Sequence, residues 1–382
     1  MTLRSRIIEE FASIEADAWE ALDHGDNPFV SHAFLSALET SGSIGPANGW
    51  VPRHLAIYDD DRLAAFAPTY LKSHSHGEFV FDWAWADAYR RRGLAYFPKL
   101  LTAVPYSPVS GPRLLTIRDH PDAEALRRQL VQSAIGQCSA HGLSTWHCNF
   151  VRDVESATLG SQGLLSRQDW QFHWINEGYA DFDGFLEQLR SRKRKSIRRE
   201  RRQVRDAGVT FRWLSGGELT DALLDFVYRC YLSTFKAYGN YAALRRSFFE
   251  AIATSLDDRL VLVLASRGGA PLAMSLYLAG GGRLYGRYWG CIEEVPGLHF
   301  ETAYYQGIEY CIQHGIGVFE SGAQGEHKIS RGFAPRRTYS HHFVHDPEFR
   351  EAIADHLERE RAWMEAYREQ LALHDPFRCE SG

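Results

Sequence analysis

Two stretches of this chain repeat one arrangement, and that repeat limits the folds open to it. Residues 54–71 (HLAIYDDDRLAAFAPTYL) read as strand, charged turn and strand, and EFVFDWAWA (78–86), after Gly77, reads as a third strand. Residues 259–279 (RLVLVLASRGGAPLAMSLYLA) read the same way around Gly268-Gly269, and three glycines from Gly280 lead into RLYGRYWG. Each copy then offers an amphipathic helix that stops at a glycine and feeds a strand, 122–142 into LSTWHCNF and 299–315 into IGVFESG. Both helices end in Cys-x-x-His-Gly, which puts Gly142 and Gly315 where a left-handed residue closes a helix. Generic α/β punctuation is the competing reading of this pattern. Taken as a duplication, it predicts an α/β chain of the mixed α+β kind, with domains 1–178 and 179–382 and a cleft between them. At 382 residues the chain exceeds what one hydrophobic core normally holds, in agreement with two domains.

The copies differ in length. Leu55 to Gly142 spans 87 positions and Val261 to Gly315 spans 54. The 33 extra residues fall around 84–118 and are rich in Pro, Gly and aromatics, the composition of an ordered loop that shapes a cleft. Between the copies, QDWQFHWI (168–175) alternates like a strand. Asp181 then opens a helix expected to run through Phe182, Phe185, Leu189, Ile197 and Val204 to Gly208. Asp346-Pro347 starts a last helix, whose stripe of Phe349, Ile353, Leu357, Met364, Tyr367 and Leu371 carries it to a stop before Pro376. Its polar face mixes both charge signs, so it is expected to pack on the core or on a second copy in a homodimer rather than on a membrane.

The net charge of −5 hides an asymmetry. Residues 190–205 (RSRKRKSIRRERRQVR) carry ten bases and one acid, +9, which leaves −14 on the rest. Arg190/Arg194, Arg194/Arg198, Arg198/Arg202 and Arg201/Arg205 are like-charged i,i+4 pairs, each costing about 0.2–0.5 kcal/mol. An anionic partner offsets that repulsion, and phosphate suits Arg. Arg194, Arg198 and Arg202 are therefore the candidate phosphate contacts, toward tRNA or a nucleotide-linked ligand first, a CoA-type donor next and a lipid surface last. No stacking aromatics interleave with them, which weighs against single-strand binding. No apolar run approaches the ~18–20 residues of a membrane span. The first ten residues turn acidic too early for a signal or transit peptide, so a cytoplasmic location is expected. Cys138, Cys148, Cys230, Cys291, Cys311 and Cys379 form no Cys-x-x-Cys pair, as expected of reduced thiols.

The segment 319–345 (FESGAQGEHKISRGFAPRRTYSHHFVH) concentrates the residues that could carry chemistry. It gathers Glu320, Glu326, His327, Lys328 and Arg331 among glycines at 322, 325 and 332 that permit close backbone approach. An extended backbone there would put Glu326 and Lys328 on one face and His327 on the other. Glu326 is the first expectation for a general base toward an amine and His327 the second, while Lys328 would polarise a carbonyl or hold a phosphate. A polar surface turn with solvated charges is the competing reading. His299 and Glu301 flank the start of the second-copy helix and, with Glu320 and Arg331, are candidate substrate contacts, although a first-turn Glu also simply favours the helix dipole. Tyr106 and Arg113 in the insert offer a hydroxyl and a guanidinium to a polar substrate. His341, His342 and His345 lack helical spacing and have no Cys or carboxylate nearby to complete a set, so no metal is expected. No Ser/Cys–His spacing calls for a covalent intermediate.

Six motifs carry a family resemblance: YFPKL (96–100), PYSPVSGPRLL (105–115), SRKRKSIRRERR (191–202), LHFE (298–301), YYQGIEYCI (304–312) and GAQGEHKISRGFAP (322–335). On these the chain resembles the FemAB-like group of N-acyltransferases. The resemblance implies two GNAT-type domains in tandem and transfer of an acyl or aminoacyl group to a small-molecule amine. It implies no tightly bound cofactor, with acyl-CoA or aminoacyl-tRNA as co-substrate. In the better-understood Fem enzymes the acceptor is a peptidoglycan precursor and the donor an aminoacyl-tRNA; this chain lacks their long coiled-coil arm. A non-catalytic phosphate- or RNA-binding module keeping the fold is the alternative, and a structural partner oligomerising through its last helix is a third.

Overall fold

The computed structural model describes residues 3–237, 239–322 and 325–378. The chain divides into two compact units, Met1–Asp169 with Arg337–Ala366, and Trp170–Arg336 with Tyr367–Gly382. The region 179–382 is thus not one body, because Arg337–Ala366 folds with the first unit.

The first unit holds β1 (Leu3–Ile8), β2 (Trp50–Pro52), β3 (His54–Asp59), β4 (Arg62–Ala67), β5 (Thr69–Lys72), β6 (Lys99–Thr102), β7 (Leu115–Thr116) and β8 (Thr145–Val151). Its helices are α1 (Ala16–Glu20), α2 (His32–Thr40), α3 (Trp83–Arg91), α4 (Ala123–His141) and α5 (Asp153–Ser161). β3 and β4 form the expected hairpin, flanked by β1 and β7. Pro68, with no N–H for a ladder, interrupts the run, and β5 continues in a second sheet between β2 and β6. α4 carries the chain to β8, which pairs parallel with β6, Leu100 opposite Trp146. Leu126, Leu130, Val131 and Cys138 of α4 pack on Leu55, Ile57, Leu100 and Trp146, and Gly142 closes the helix at φ 61°.

The segment 78–86 is not the third strand. Glu78 and Asp82 turn inward to meet Lys99, and Trp83 opens α3 instead. The third strand of this copy is β6, so the extra residues lie at 73–98 and 103–114.

The second unit takes β9 (Leu165–Ile175) from Trp170 onward, β10 (Val209–Leu214), β11 (Leu260–Arg267), β12 (Ala270–Gly280), β13 (Arg283–Cys291) and β14 (Val318–Glu320), in the order β10-β11-β12-β13-β14-β9. Its helices are α6 (Phe182–Gln188), α7 (Ser191–Asp206), α8 (Asp221–Ala237), α9 (Arg246–Ser255), α10 (Leu298–Phe300) and α11 (Gln306–Gln313). A π turn, Glu301–Tyr305, joins the last two. β15 (Ala334–Val344) and α12 (Pro347–Ala372) follow. The helix expected from Asp181 to Gly208 breaks at Leu189 and Arg190. Leu189 is extended, fully buried and bridged to Phe377, while the Arg190 N–H donates to Pro376 O at 2.8 Å.

β10, β11, β12, β13 and β14 repeat the order of β1, β3, β4 with β5, β6 and β8. In both units a meander ends in a parallel strand of three rungs reached through one helix. The repeat is present in the topology.

Candidate active site

β13 and β14 share three rungs, Arg283/Val318, Leu284/Phe319 and Tyr285/Glu320. Just past the last, the register against β12 shifts so that Arg287 has no opposite residue, the geometry of a β-bulge, which recurs beside active sites. Gly286 lets β14's continuation pass close, since a Cβ there would lie 3.4 Å from Ser321 Cα. Alternation sorts the side chains. Leu284, Phe319 and Trp174 enter the core with Tyr304, Tyr305 and Ile308. Glu320 joins Arg283, whose Nη1 donates to its Oε1 at 2.8 Å. Glu320 Oε2 has no hydrogen bond and lies 3.8 Å from His173 Nε2. Burial raises Glu320 to about 7, opposed by Arg283, and burial with Arg283, Arg336 and Lys328 lowers His173 to about 3.

After β14 the backbone does not stay extended; Glu326–Arg331 is a turn of 3₁₀ helix. The expected sharing of one face by Glu326 and Lys328 is therefore replaced by three separate directions. Glu326 is exposed and accepts from the Tyr367 hydroxyl at 2.6 Å. Lys328 is buried, and its Nζ donates to Ser321 O at 3.1 Å and Gly322 O at 2.9 Å, which ties down the strand exit. Burial alone brings it to about 7.

His327 Nε2 lies 3.0 Å from the Tyr304 hydroxyl, and its ring sits 5.7 Å from Phe300 and 6.5 Å from His299. His299 in turn packs on Trp289 of β13 at 4.7 Å. Burial, then His327, Arg331 and Lys328, lower His299 to about 4; burial, Arg331 and Lys328 also lower His327. The π turn widens the helix just where Tyr304 reaches this group, as such turns often do at functional sites.

Other expected contacts are spent inside the protein. Arg331 bonds the Tyr305 hydroxyl and His327 O, pairs with Glu200 at 3.1 Å and lies 3.5 Å above Phe300. Glu301 is buried and pairs with Arg201 at 3.0 Å, holding α7. Arg113, expected to meet substrate, is fully enclosed, and its guanidinium donates to Pro112 O and Val109 O. Tyr106 is half-buried and donates to Ser43 O at 3.1 Å.

On α7, Ile197 and Val204 face inward. Arg198 is exposed and pairs with Asp183 at 2.8 Å; Arg194 and Arg202 make no ion pair among the described residues. The three late histidines do not converge: His341 meets Ser156, His342 packs on His147 and His345 is exposed. Among the described cysteines all are free, and Cys379 lies outside the described residues.

A second polar cluster escaped the sequence reading. Lys72, Glu78, Asp82, Lys99, His147 and His342 are all buried in the first unit. Lys99 lay inside YFPKL and His342 among the late histidines, but nothing in the sequence joined them to Glu78, Asp82 and His147.

A family model matches residues 10–379 of this sequence. The chain belongs to the FemAB-like family. That family is described as one of peptidoglycan biosynthesis or recognition. No curated protein matches the chain. Among solved structures, FemX is 12% identical over 92% of this chain and 100% of its own, with a TM-score of 0.53. L-PGS from Bacillus licheniformis is 10% identical over 86% and 96%, at 0.50. A conserved protein of unknown function from Bacteroides thetaiotaomicron is 10% identical over 89% and 99%, at 0.52. At such identities the likeness extends to the fold alone, and the FemAB-like chain is of the mixed α/β class. No helix among the described residues is long and apolar enough to cross a membrane.

Proposed function

We propose that this FemAB-like protein is an N-acyltransferase that moves an acyl or aminoacyl group from an activated donor, acyl-CoA or aminoacyl-tRNA, to an amine. A peptidoglycan-precursor-like molecule is the acceptor class that fits the family description. The observation that carries the reading is the His327–Tyr304 hydrogen bond, 3.0 Å long, beside the strand exit at Ser321 and Gly322. An attacking amine must lose a proton. His327, held below its usual range, is neutral near pH 7 and free to accept it. The Tyr304 hydroxyl, bonded to the same ring, can pass its own proton to the departing thiolate or ribose oxygen and recover one from His327, so the protons balance. We assign the base to His327, which is exposed but bonded to Tyr304, rather than to Glu326, which is also exposed and accepts from Tyr367. Lys328 serves by fixing the exit of β14.

The half-buried Arg194 and the exposed Arg202 support a phosphate-bearing donor. Replacing Arg194, Arg198 and Arg202 by Gln should weaken donor binding and flatten its salt dependence, because each lost phosphate contact reduces counterion release. The deciding experiment first identifies small molecules that co-purify with the protein by mass spectrometry, then measures transfer from acyl-CoA and aminoacyl-tRNA donors to amines of that class. His327→Ala should lower turnover about 10²–10⁴-fold with little change in melting temperature. Full activity in that variant would return the base to another group, and no transfer from either donor would remove the enzymatic reading.

A further inference from the structure

We propose that the first unit contains a site for one divalent transition-metal ion, formed by Glu78, Asp82 and His147 with His342 beside them. One ligand atom from each of the first three lies within 4.8 Å of the others, and all three side chains are buried. Ligands bonded to one ion at about 2.0–2.2 Å stand roughly 3–3.5 Å apart, so side-chain adjustments of about an ångström would close the set.

The surroundings orient the carboxylates as an outer shell does around a metal. Lys99 Nζ donates to Glu78 Oε2 at 2.7 Å and to Asp82 Oδ2, and the Tyr96 hydroxyl donates to that same Asp82 oxygen at 2.5 Å. The opposite oxygens, Glu78 Oε1 and Asp82 Oδ1, have no hydrogen bond, and neither has His147 Nδ1. Lys72 stays 4.0 Å from Glu78 Oε1 and donates instead to His76 O.

His342 supplies an independent observation. It is fully buried on β15, opposite His147 in the β8 ladder, with ring centroids 4.5 Å apart. Neither of its ring nitrogens has a partner. An enclosed imidazole with both nitrogens unsatisfied carries an uncompensated desolvation penalty. His342 stands outside the three side chains whose ligand atoms lie within 4.8 Å of one another, and it marks this pocket as one whose polar groups are left unsatisfied.

Imidazole with carboxylate is the donor set of Zn²⁺, Mn²⁺ or Fe²⁺, rather than the all-oxygen set of Ca²⁺ or the sulfur set of Cu⁺. The test strips the full chain with a chelator and reloads it separately with Zn²⁺ and Mn²⁺. Free ion is removed and retained metal counted by mass spectrometry, then located by anomalous diffraction. About one ion per chain is expected, with retention cut at least about tenfold in Asp82→Asn and His147→Gln. Since a buried substitution can unfold the chain, the wild type decides first. Retention of neither ion, or ordered water alone between Asp82 and His147, overturns the proposal. Undiminished retention in a folded His147→Gln variant does so too.

Discussion

Lys72 and Lys99 stand directly opposite each other on β5 and β6, and neither is exposed to solvent. Like charges in that relation destabilise a sheet, so the pair demands counter-charges, which Glu78 and Asp82 supply. Removing one partner of a buried ion pair typically costs about 3–5 kcal/mol, and Lys99→Met should lower the urea-derived unfolding free energy by that much. A loss within experimental error would mean the carboxylates are compensated elsewhere. Glu320 makes a pH prediction. Its folded-state value of about 7 lies above the ordinary carboxylate range, so the folded chain holds that proton more tightly than the unfolded one. Its contribution to stability is therefore complete at low pH and declines as pH rises from about 4.5 to 7, by about 3 kcal/mol in all. Glu320→Gln should lack that decline in denaturation curves taken at pH 5 and pH 7.5; equal slopes would reject it. The residue types near the site were legible in GAQGEHKISRGFAP, but not their directions. Which partners Glu326, His327 and Lys328 meet depends on a 3₁₀ turn that no side-chain alternation announces.

Among the elements, β13 shows how tightly the second unit is drawn together. A Cβ on Gly290 would fall 2.2 Å from the Cys230 carbonyl oxygen of α8. Gly290→Ala must push the strand and helix apart, and overpacking of this kind typically costs about 1–3 kcal/mol. Thermal unfolding of the variant measures it, and an unchanged midpoint would show that α8 can shift freely. Hairpins and helix stops were legible, because Gly142 and Gly315 sit at φ 61° and 64° as their place after each helix required. The failures came where tertiary contacts overrode propensity. EFVFDWAWA has the aromatic and β-branched content of a strand, yet its two acids must reach Lys99. The basic helix looked continuous because Leu189 fits a helical stripe as well as it fits the bridge to Phe377.

At the scale of the whole molecule, the duplication could be read from the sequence but the exchange of strands between its halves could not. β15 alternates in the same way whichever sheet edge receives it, so nothing in its residues tells that it pairs with β8. β9 likewise follows the first copy in sequence and completes the second at β14. A fragment ending at residue 178 should therefore be insoluble or polymeric by size exclusion, since it presents β8 with an open edge. A monomeric, cooperatively folding fragment would contradict this.

The same feature bears on synthesis. The 168 positions from Asp169 to Arg337 must leave the ribosome before β8 can meet its partner. At roughly 5–20 residues per second, that edge waits on the order of ten to thirty seconds on every nascent chain. During that interval, holding β8 apart from its neighbours falls to chaperones or to the pace of translation.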